Sequence, residues 1–167
     1  WGPFSLVWGI AIALATAILH KDKDKPDSYI FMIGTILGGV YEYSCSVFTE
    51  IVFGKVFWDY SHIPFNIGGR VNLLYCFFWG IAAVVWIKWL YPPLSHLIES
   101  IPDKIGKIIT WALVVFMACN IVVSMMALIR YDQRSNGTEA SSSWQITMDR
   151  MYDDAAMQRI YPNAVSK

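Results

Sequence analysis

Four long apolar runs, separated by short polar connectors, constrain this chain more than any single motif. The runs are residues 4–19, 29–53, 71–90 and 108–129. Three of them reach the roughly 20 residues that an α-helix needs to cross a bilayer core. The first has about 16 residues and would cross only with its flanks or in a thinner bilayer. We therefore predict an all-α, polytopic membrane protein with four membrane helices.

Composition supports this class and argues against several others. Only 16% of the residues are charged, against about a quarter in a soluble domain. The formal net charge is zero, whereas a nucleic-acid-binding protein presents a basic face, so we expect no nucleic-acid partner. Cys45, Cys76 and Cys119 lie inside apolar runs without paired spacing, and are interpreted as small core residues. Asp59 and His62 alone are too few for a metal site, and we expect no metal, no cofactor and no catalytic residue.

The second apolar run carries two carboxylates on a repeating pattern. Small or polar residues recur every four positions, at Gly34, Gly38, Glu42, Ser46, Glu50 and Gly54. Four residues advance a helix by about 400°, so these positions form a slowly winding stripe whose small residues allow another helix to approach closely. Glu42 and Glu50 would lie about 12 Å apart along the axis, too far to share one ligand atom. Ionisable residues in membrane-length segments usually face a partner, a cavity or a substrate.

A segment of mixed character, residues 55–70, follows this run. It is too rich in polar and helix-breaking residues to span a membrane and too apolar for an ordinary exposed loop. We expect an interfacial or partly re-entrant segment, with Trp58 and Tyr60 at the level of the lipid headgroups. The candidate substrate-binding residues are Glu42, Glu50, Trp58, Asp59, Tyr60, Asn66 and Arg70.

Two interpretations of the charged candidates stay open. Glu42, Glu50, Asp59 and Arg70 could form a polar pocket near one membrane face that holds a cation, a zwitterion or a lipid headgroup. Alternatively, Arg70 and a carboxylate could form a clamp that fixes the loop to the helices. Because Arg70 needs only one acid and three are nearby in sequence, both interpretations can hold.

Breaks and repeats suggest where other helices end and meet. The sequence Tyr91-Pro92-Pro93 is predicted to end the third helix, and Pro102 to interrupt the connector that follows. Trp8-Gly9-Ile10-Ala11 recurs as Trp79-Gly80-Ile81-Ala82, which hints at an internal repeat of the parallel kind found in transporters. The positions assigned structural roles are Gly2, Pro3, Gly38, Gly69, Trp79, Gly80 and Pro92.

The composition becomes polar after Arg130, which predicts two regions. Residues 1–130 would form the membrane bundle, and residues 131–167 a polar C-terminal tail with a short amphipathic helix over about 144–160. With four crossings, loop 55–70 and the tail share one side of the membrane. We expect a multi-pass protein of the cell membrane with that side facing the cytoplasm.

Several motifs together resemble one known family. They are Gly39-Val40-Tyr41-Glu42-Tyr43, Glu50, Phe53-Gly54, Phe57-Trp58-Asp59-Tyr60-Ser61, Pro64-Phe65-Asn66-Ile67, Gly69-Arg70-Val71, Trp79-Gly80, Tyr91-Pro92 and Ile160-Tyr161-Pro162-Asn163. The chain thereby resembles, over nearly its whole length, the ABC-transporter type IV or ABC transporter permease family, which includes the vertebrate transmembrane protein 229 proteins. The family pattern places Gly2-Pro3 in a turn after an earlier membrane helix, so a further N-terminal helix is expected. The chain departs from that pattern at Ser5-Leu6-Val7-Trp8, where a Pro-Ile-Tyr-like segment is usual.

The resemblance implies a small transporter or permease-like component but assigns no catalytic residue. The chain has no Gly-rich phosphate loop, so it is not itself the ATPase of such a system. We hypothesise that Glu42 and Glu50 line a path gated by the loop, among membrane lipids, in a homo-oligomer or with a partner membrane subunit. The alternative is a membrane-embedded protein or enzyme that reads a lipid headgroup with Asp59, Asn66 and Arg70. A continuous polar path would favour the first function, and a pocket open sideways to lipid the second.

Overall fold

The structure is a computed structural model that describes residues 5–161 and 165–166. Within these residues the helices are α1 (Leu6–Leu19), α2 (Asp27–Phe53), α3 (Leu73–Val85), α4 (Tyr91–Glu99), α5 (Asp103–Ser135), α6 (Ser143–Met151) and α7 (Asp154–Ile160). The short strands are β1 (Lys55–Val56), β2 (Asn66–Ile67), β3 (Val71–Asn72) and β4 (Val165–Ser166). The described residues fall into two compact units, residues 5–102 with 165–166 and residues 103–161. Gly2 and Pro3, predicted to form a turn, lie outside the described residues.

The prediction of a mostly helical membrane protein is confirmed, but the count of four spans is not. Three helical stretches among the described residues are long and apolar enough to cross a membrane: Asp27–Val52, Leu73–Glu99 and Asp103–Ser135. Helix α1 has only 14 residues, which corresponds to about 21 Å at 1.5 Å per residue, short of a bilayer core of about 30 Å. The reason is that residues 20–22 continue as a 3₁₀ turn into the charged connector.

Close packing of α2 against α3 forms the centre of the first unit. A Cβ atom added to Gly38 would overlap the Trp79 side chain, and one added to Gly34 would overlap Ala83. At the facing position on α3, a Cβ atom on Gly80 would lie 2.7 Å from the carbonyl oxygen of Phe31. Small residues on both helices therefore let the two backbones approach closely, as is typical of membrane helix pairs.

Apolar packing closes the end of this unit that contains the beginning of α2. Leu19, Ile30, Ala83 and Ile87 form a cluster of buried side chains there. Nearby, the indole Nε1 of Trp86 donates a 2.7 Å hydrogen bond to the hydroxyl of Thr16, which connects α3's end to α1. The same unit thus has an apolar cluster near the beginning of α2 and a polar group of side chains toward the C-terminal end of α2.

The third membrane helix does not end at the prolines, which corrects the prediction for Pro92. A π-helical turn over Trp86–Leu90 joins α3 to α4. Pro92 and Pro93 lie in the first turn of α4, and the helical stretch continues to Glu99. Proline lacks an N–H, and its ring clashes with the carbonyl one turn earlier in a regular helix. A wide π turn immediately before the prolines changes this geometry, so the chain passes through them while remaining helical.

In the second unit, the buried Arg130 and the partly buried Arg134 at the end of α5 hold the tail helices. The Arg130 side chain, 3% exposed, forms a two-pronged ion pair with Asp149, at 2.8 Å through Nε and 2.9 Å through Nη2. This hydrogen-bonded pair lowers the pKa of the Asp149 carboxyl and keeps it ionised. Arg134 adds contacts to Asp149, to Asp154 and to the carbonyl of Tyr152.

The single tail helix predicted over 144–160 is two helices in the structure. Helix α6 begins after Ser142, whose side chain and that of Gln145 form a capping box, as the serine-rich sequence before it favours. The chain leaves the helical conformation at Tyr152, and Asp153 caps α7 by accepting from the backbone of Ala156. Tyr152 and Met157 then pack in one apolar cluster, so the break folds the tail back on α5.

The glycine packing predicts opposite effects for two matched substitutions in the repeated Trp-Gly-Ile-Ala sequence. Gly80→Ala should lower the free energy of unfolding by about 1–3 kcal/mol, because the new methyl group overlaps α2. Gly9→Ala should be neutral or raise it by up to about 1 kcal/mol, because no atom lies within 4 Å of the added Cβ and alanine favours helix. Unfolding in mixed micelles measures both, and equal effects would contradict the packing described.

Candidate functional site

The carboxylate of Glu42 lies at the middle of the polar end of the first unit. Only 8% of the residue is exposed. Its Oε1 accepts a 2.7 Å hydrogen bond from the hydroxyl of Tyr60, in the loop, and its Oε2 accepts a 3.3 Å bond from the indole of Trp79, on α3. Burial, and then the bond to Glu42, raise the pKa of the Tyr60 hydroxyl above its usual value, so Tyr60 is a neutral donor. Glu42 therefore joins three elements through neutral partners.

Arg70 lies closer to the end of α2 and makes the second polar connection. Its Nη2 pairs with the carboxylate of Glu50, and its Nη1 donates a 3.2 Å hydrogen bond to the hydroxyl of Ser46. The guanidinium also lies 6.0 Å from the centre of the Tyr43 ring, within reach of a cation–π interaction. The clamp between the loop and α2 that the sequence suggested thus has this geometry, with Glu50 as the acid.

The other polar candidates organise the loop itself. The side chain of Asn66 donates to the carbonyl of Ile63 at 2.7 Å and accepts from the backbone of Gly69 at 2.9 Å. Asp59 accepts from the backbone of Ser61 at 2.9 Å. Each of these bonds closes a local turn, so these side chains fix the loop's path.

Trp58 and Tyr60 direct their polar atoms into the unit, and their expected place at the level of the lipid headgroups stays a prediction. The indole of Trp58 donates a 2.8 Å hydrogen bond to the carbonyl of Arg70. The ring of Tyr60 stacks on Tyr75 with ring centres 4.6 Å apart, and its backbone N–H bonds to Gly69. Both aromatic side chains are half-buried because their polar atoms have partners within the unit.

Sequence reasoning missed two positions that hold the loop in place. Asn72, fully buried, donates to the carbonyl of Pro64 at 2.6 Å and caps α3 by accepting from the backbone of Leu74. An Asn just before an apolar run is a helix-cap signal that could have revealed it. Ser46, 1% exposed, belongs to the predicted stripe of small or polar residues, but nothing in the sequence indicates its role as a partner of Arg70.

An apolar cleft of about 580 Å³ lies on another face of the same helices. It is bounded by α1, α2 and α3, and none of the described residues that line it is charged. Tyr41 and Trp79 belong to its lining, and Trp79 also bonds to Glu42, so the cleft and the buried carboxylate have one wall in common. The remaining lining includes Trp8, Ala15, Gly38, Ser44, Ala82 and Trp86.

Comparison with known proteins identifies the family. Residues 1–125 of the 167 match the family described as Putative ABC-transporter type IV. The chain belongs to this family. The resemblance read from the loop and α2 motifs is therefore confirmed, whereas no curated protein and no solved structure matches the chain. The family match makes this a transporter-like membrane protein.

The structure brings the sequence-predicted residues of this family member into two groups. Glu42 and Tyr60 meet at one, and Glu50 and Arg70 at the other, in line with the prediction that the two acids cannot share a ligand. Trp58, Asp59 and Asn66 lie in the loop around them. Across residues 5–161, no three His, Cys, Asp or Glu side chains come together to hold a metal ion. Whether either group binds a ligand stays a prediction.

The Arg70–Glu50 pair predicts a measurable coupling between loop and helix. The two side chains are 20% and 31% exposed, so Arg70→Met should lower the free energy of unfolding by about 1–3 kcal/mol, between the values for exposed and buried pairs. Glu50→Leu should lower the free energy of unfolding much less in the Arg70→Met background than in the wild-type protein. The reason is that the positive charge of its partner is already absent in that background. A double-mutant cycle in mixed micelles measures this coupling, and strictly additive effects would contradict the clamp.

The pair of Lys88 with Asp27 provides the matched control. Its atoms are 3.5 Å apart and the Asp27 side chain is 71% exposed. Asp27→Asn, which leaves the 2.7 Å bond from Lys88 to the carbonyl of Lys25 in place, should therefore lower the free energy of unfolding by less than about 1 kcal/mol.

Proposed function

We propose that this chain is a transporter-type membrane component in which Glu42 binds and releases a proton or a small cation. The main support for this proposal is that Glu42 is buried, only 8% exposed, in a membrane-length helix. Its bonded partners are the neutral groups of Tyr60 and Trp79, and among residues 5–161 it forms no ion pair. A negative charge held there by neutral donors alone is costly, so uptake of a positive charge is favourable.

A row of polar side chains supports access to Glu42 from the loop. Glu42, Ser46 and Glu50 follow each other at four-residue intervals along α2, and Arg70 contacts the latter two. Ser46 and Glu42 are both buried. A proton or cation entering at the loop would thus meet polar groups at each helical turn until it reached Glu42.

The polar row does not extend beyond Glu42 in the described residues. The next positions of the stripe, Gly38 and Gly34, are packed against Trp79 and Ala83, and the cluster around Ile30 and Ile87 follows. This arrangement supports a site that opens to one face rather than a channel through this unit. Complete transport would need a rearrangement of α2 and α3, a second copy of the chain or a partner membrane subunit.

The loop side is proposed to be the cytoplasmic side of the cell membrane, with the tail's end beside it. In support, β4 at residues 165–166 pairs antiparallel with β1 at residues 55–56. The chain's end therefore meets the start of the loop. Protease accessibility in oriented vesicles assigns the side.

The proposal predicts that Glu42→Gln abolishes charge uptake while leaving the fold intact. Glutamine has the same shape, and it can accept from Trp79 and donate to Tyr60, but it cannot take up a proton. We expect transient currents after jumps of pH, Na⁺ or choline on solid-supported membranes carrying the wild-type protein. In Glu42→Gln they should fall to the level of protein-free membranes.

Glu99→Gln is the matched control, because this carboxylate is exposed at the end of α4 and bonds to Ser95. It should leave the currents unchanged. Wild-type currents that persist undiminished in Glu42→Gln, with both variants eluting as folded protein, would show that Glu42 does not bind the charge.

The apolar cleft favours a second candidate function, the binding of a lipid acyl chain. Its volume, about 580 Å³, lies in the range of small-molecule sites. It lies between α1 and the two membrane-length helices α2 and α3, and none of its described lining residues is charged, which suits an apolar chain better than a headgroup. The headgroup interpretation of Asn66 and Arg70 is less favoured, because both side chains already have partners within the unit.

Filling the cleft tests this function. Ala15 lines the cleft and Ala13, two residues away, is exposed and does not. Ala15→Phe should reduce the lipid retained through purification by several-fold, as measured by native mass spectrometry, whereas Ala13→Phe should not. Equal retention in the two variants would show that the cleft is not the lipid site.

A further inference from the structure

Two exposed apolar side chains, Phe65 and Ile67, are used by neither candidate function, and we call this pair the loop tip. Phe65 is 79% exposed and Ile67 is 66% exposed. They lie at the β2–β3 hairpin, in which Asn66 pairs with Asn72 and Ile67 with Val71. Trp58 and Tyr60, by contrast, turn into the unit.

The backbone at Phe65 is held in an uncommon conformation. Its φ is 61°, and it is the one non-glycine residue with positive φ in the described part of the chain. A bulky side chain in this region costs on the order of 1–3 kcal/mol and persists only where the surroundings fix it. Here the buried Asn72 holds the carbonyl of Pro64, and the N–H of Leu73 bonds to the carbonyl of Phe65 at 3.1 Å. The fold therefore fixes this conformation rather than relaxing it, although Phe65 packs little within the unit.

The tip is continuous with the surface that a membrane would cover. Leu73, whose backbone N–H donates a hydrogen bond to Phe65, is the first residue of the Leu73–Glu99 span and is 46% exposed. Leu74 and Phe78, further along the span, are also exposed. Residues 63–68 contain no charged side chain, which suits contact with the boundary between headgroups and acyl chains.

From these observations we propose that Phe65 and Ile67 insert into the lipid at the boundary between headgroups and acyl chains. The occupant is membrane lipid, because the tip joins the end of a membrane span and extends its exposed apolar surface. The interfacial anchor of this loop is then the pair of Phe65 and Ile67, while Trp58 and Tyr60 form hydrogen bonds within the unit.

Photo-crosslinking in vesicles tests the proposal. The residue p-benzoylphenylalanine is placed at position 65 or, in a second variant, at position 67, and the protein is reconstituted in vesicles of phosphatidylcholine and phosphatidylglycerol. Lys23, exposed in the charged connector, provides the background position. After irradiation, intact mass should show one added phospholipid at positions 65 and 67, at least several-fold above position 23.

Other outcomes would overturn it. An adduct with a second copy of the chain or with another protein would assign the tip to a protein partner. A level of lipid adduct no higher than at position 23 would place the tip in water. Phe65→Asn provides a separate check, because Asn tolerates positive φ: this variant should unfold at the same or a higher temperature, and a lower one would show that Phe65 packs within the chain.

Discussion

The arrangement of the first unit depends on one buried carboxylate. Glu42 lies in a membrane-length helix and needs hydrogen-bond donors from other elements. Helix α2 cannot supply them, because its own backbone donors are used within the helix. They come instead from Tyr60 in the loop and Trp79 on α3. An unmade bond at such a site costs more than the made bond contributes. The positions of the loop and of α3 are therefore coupled to one carboxylate.

The glycines of the stripe make this arrangement possible. Trp79 reaches Glu42 only because its side chain crosses α2 at Gly38, where any Cβ would overlap it. Gly80, next in sequence, allows α3 to meet the carbonyl of Phe31. The repeated Trp-Gly-Ile-Ala sequence is thus not structurally equivalent in its two copies, since Gly9 has open space around it. The two tryptophans do meet, with ring centres 4.8 Å apart, but as neighbours in one packed group.

Much of the helical fold could be predicted from the sequence, because apolar length and small-residue spacing are local properties. What failed depended on contacts between distant residues. The directions of Trp58 and Tyr60 could not be predicted, because they are decided by an acceptor on Arg70 and by Glu42. The passage through Pro92 required a π turn that composition does not indicate. The Arg130–Asp149 pair joins residues in regions that the sequence suggested were separate, and that division at residue 130 stays a prediction.

The two ends of the first unit differ in the contacts that hold α2, α3 and the loop together, and this difference indicates where the unit opens more easily. Near the beginning of α2, Ile30 and Ile87 are fully buried, and opening α2 from α3 there would expose apolar surface and separate glycine-packed backbones. At the polar end, the loop is attached to α2 by the bond from Tyr60 and the contacts of Arg70, each worth about 1–3 kcal/mol. Local opening follows the weaker contacts. In the proposed function, uptake of a positive charge at Glu42 would weaken the bond from Tyr60 directly, which would link charge uptake to release of the loop.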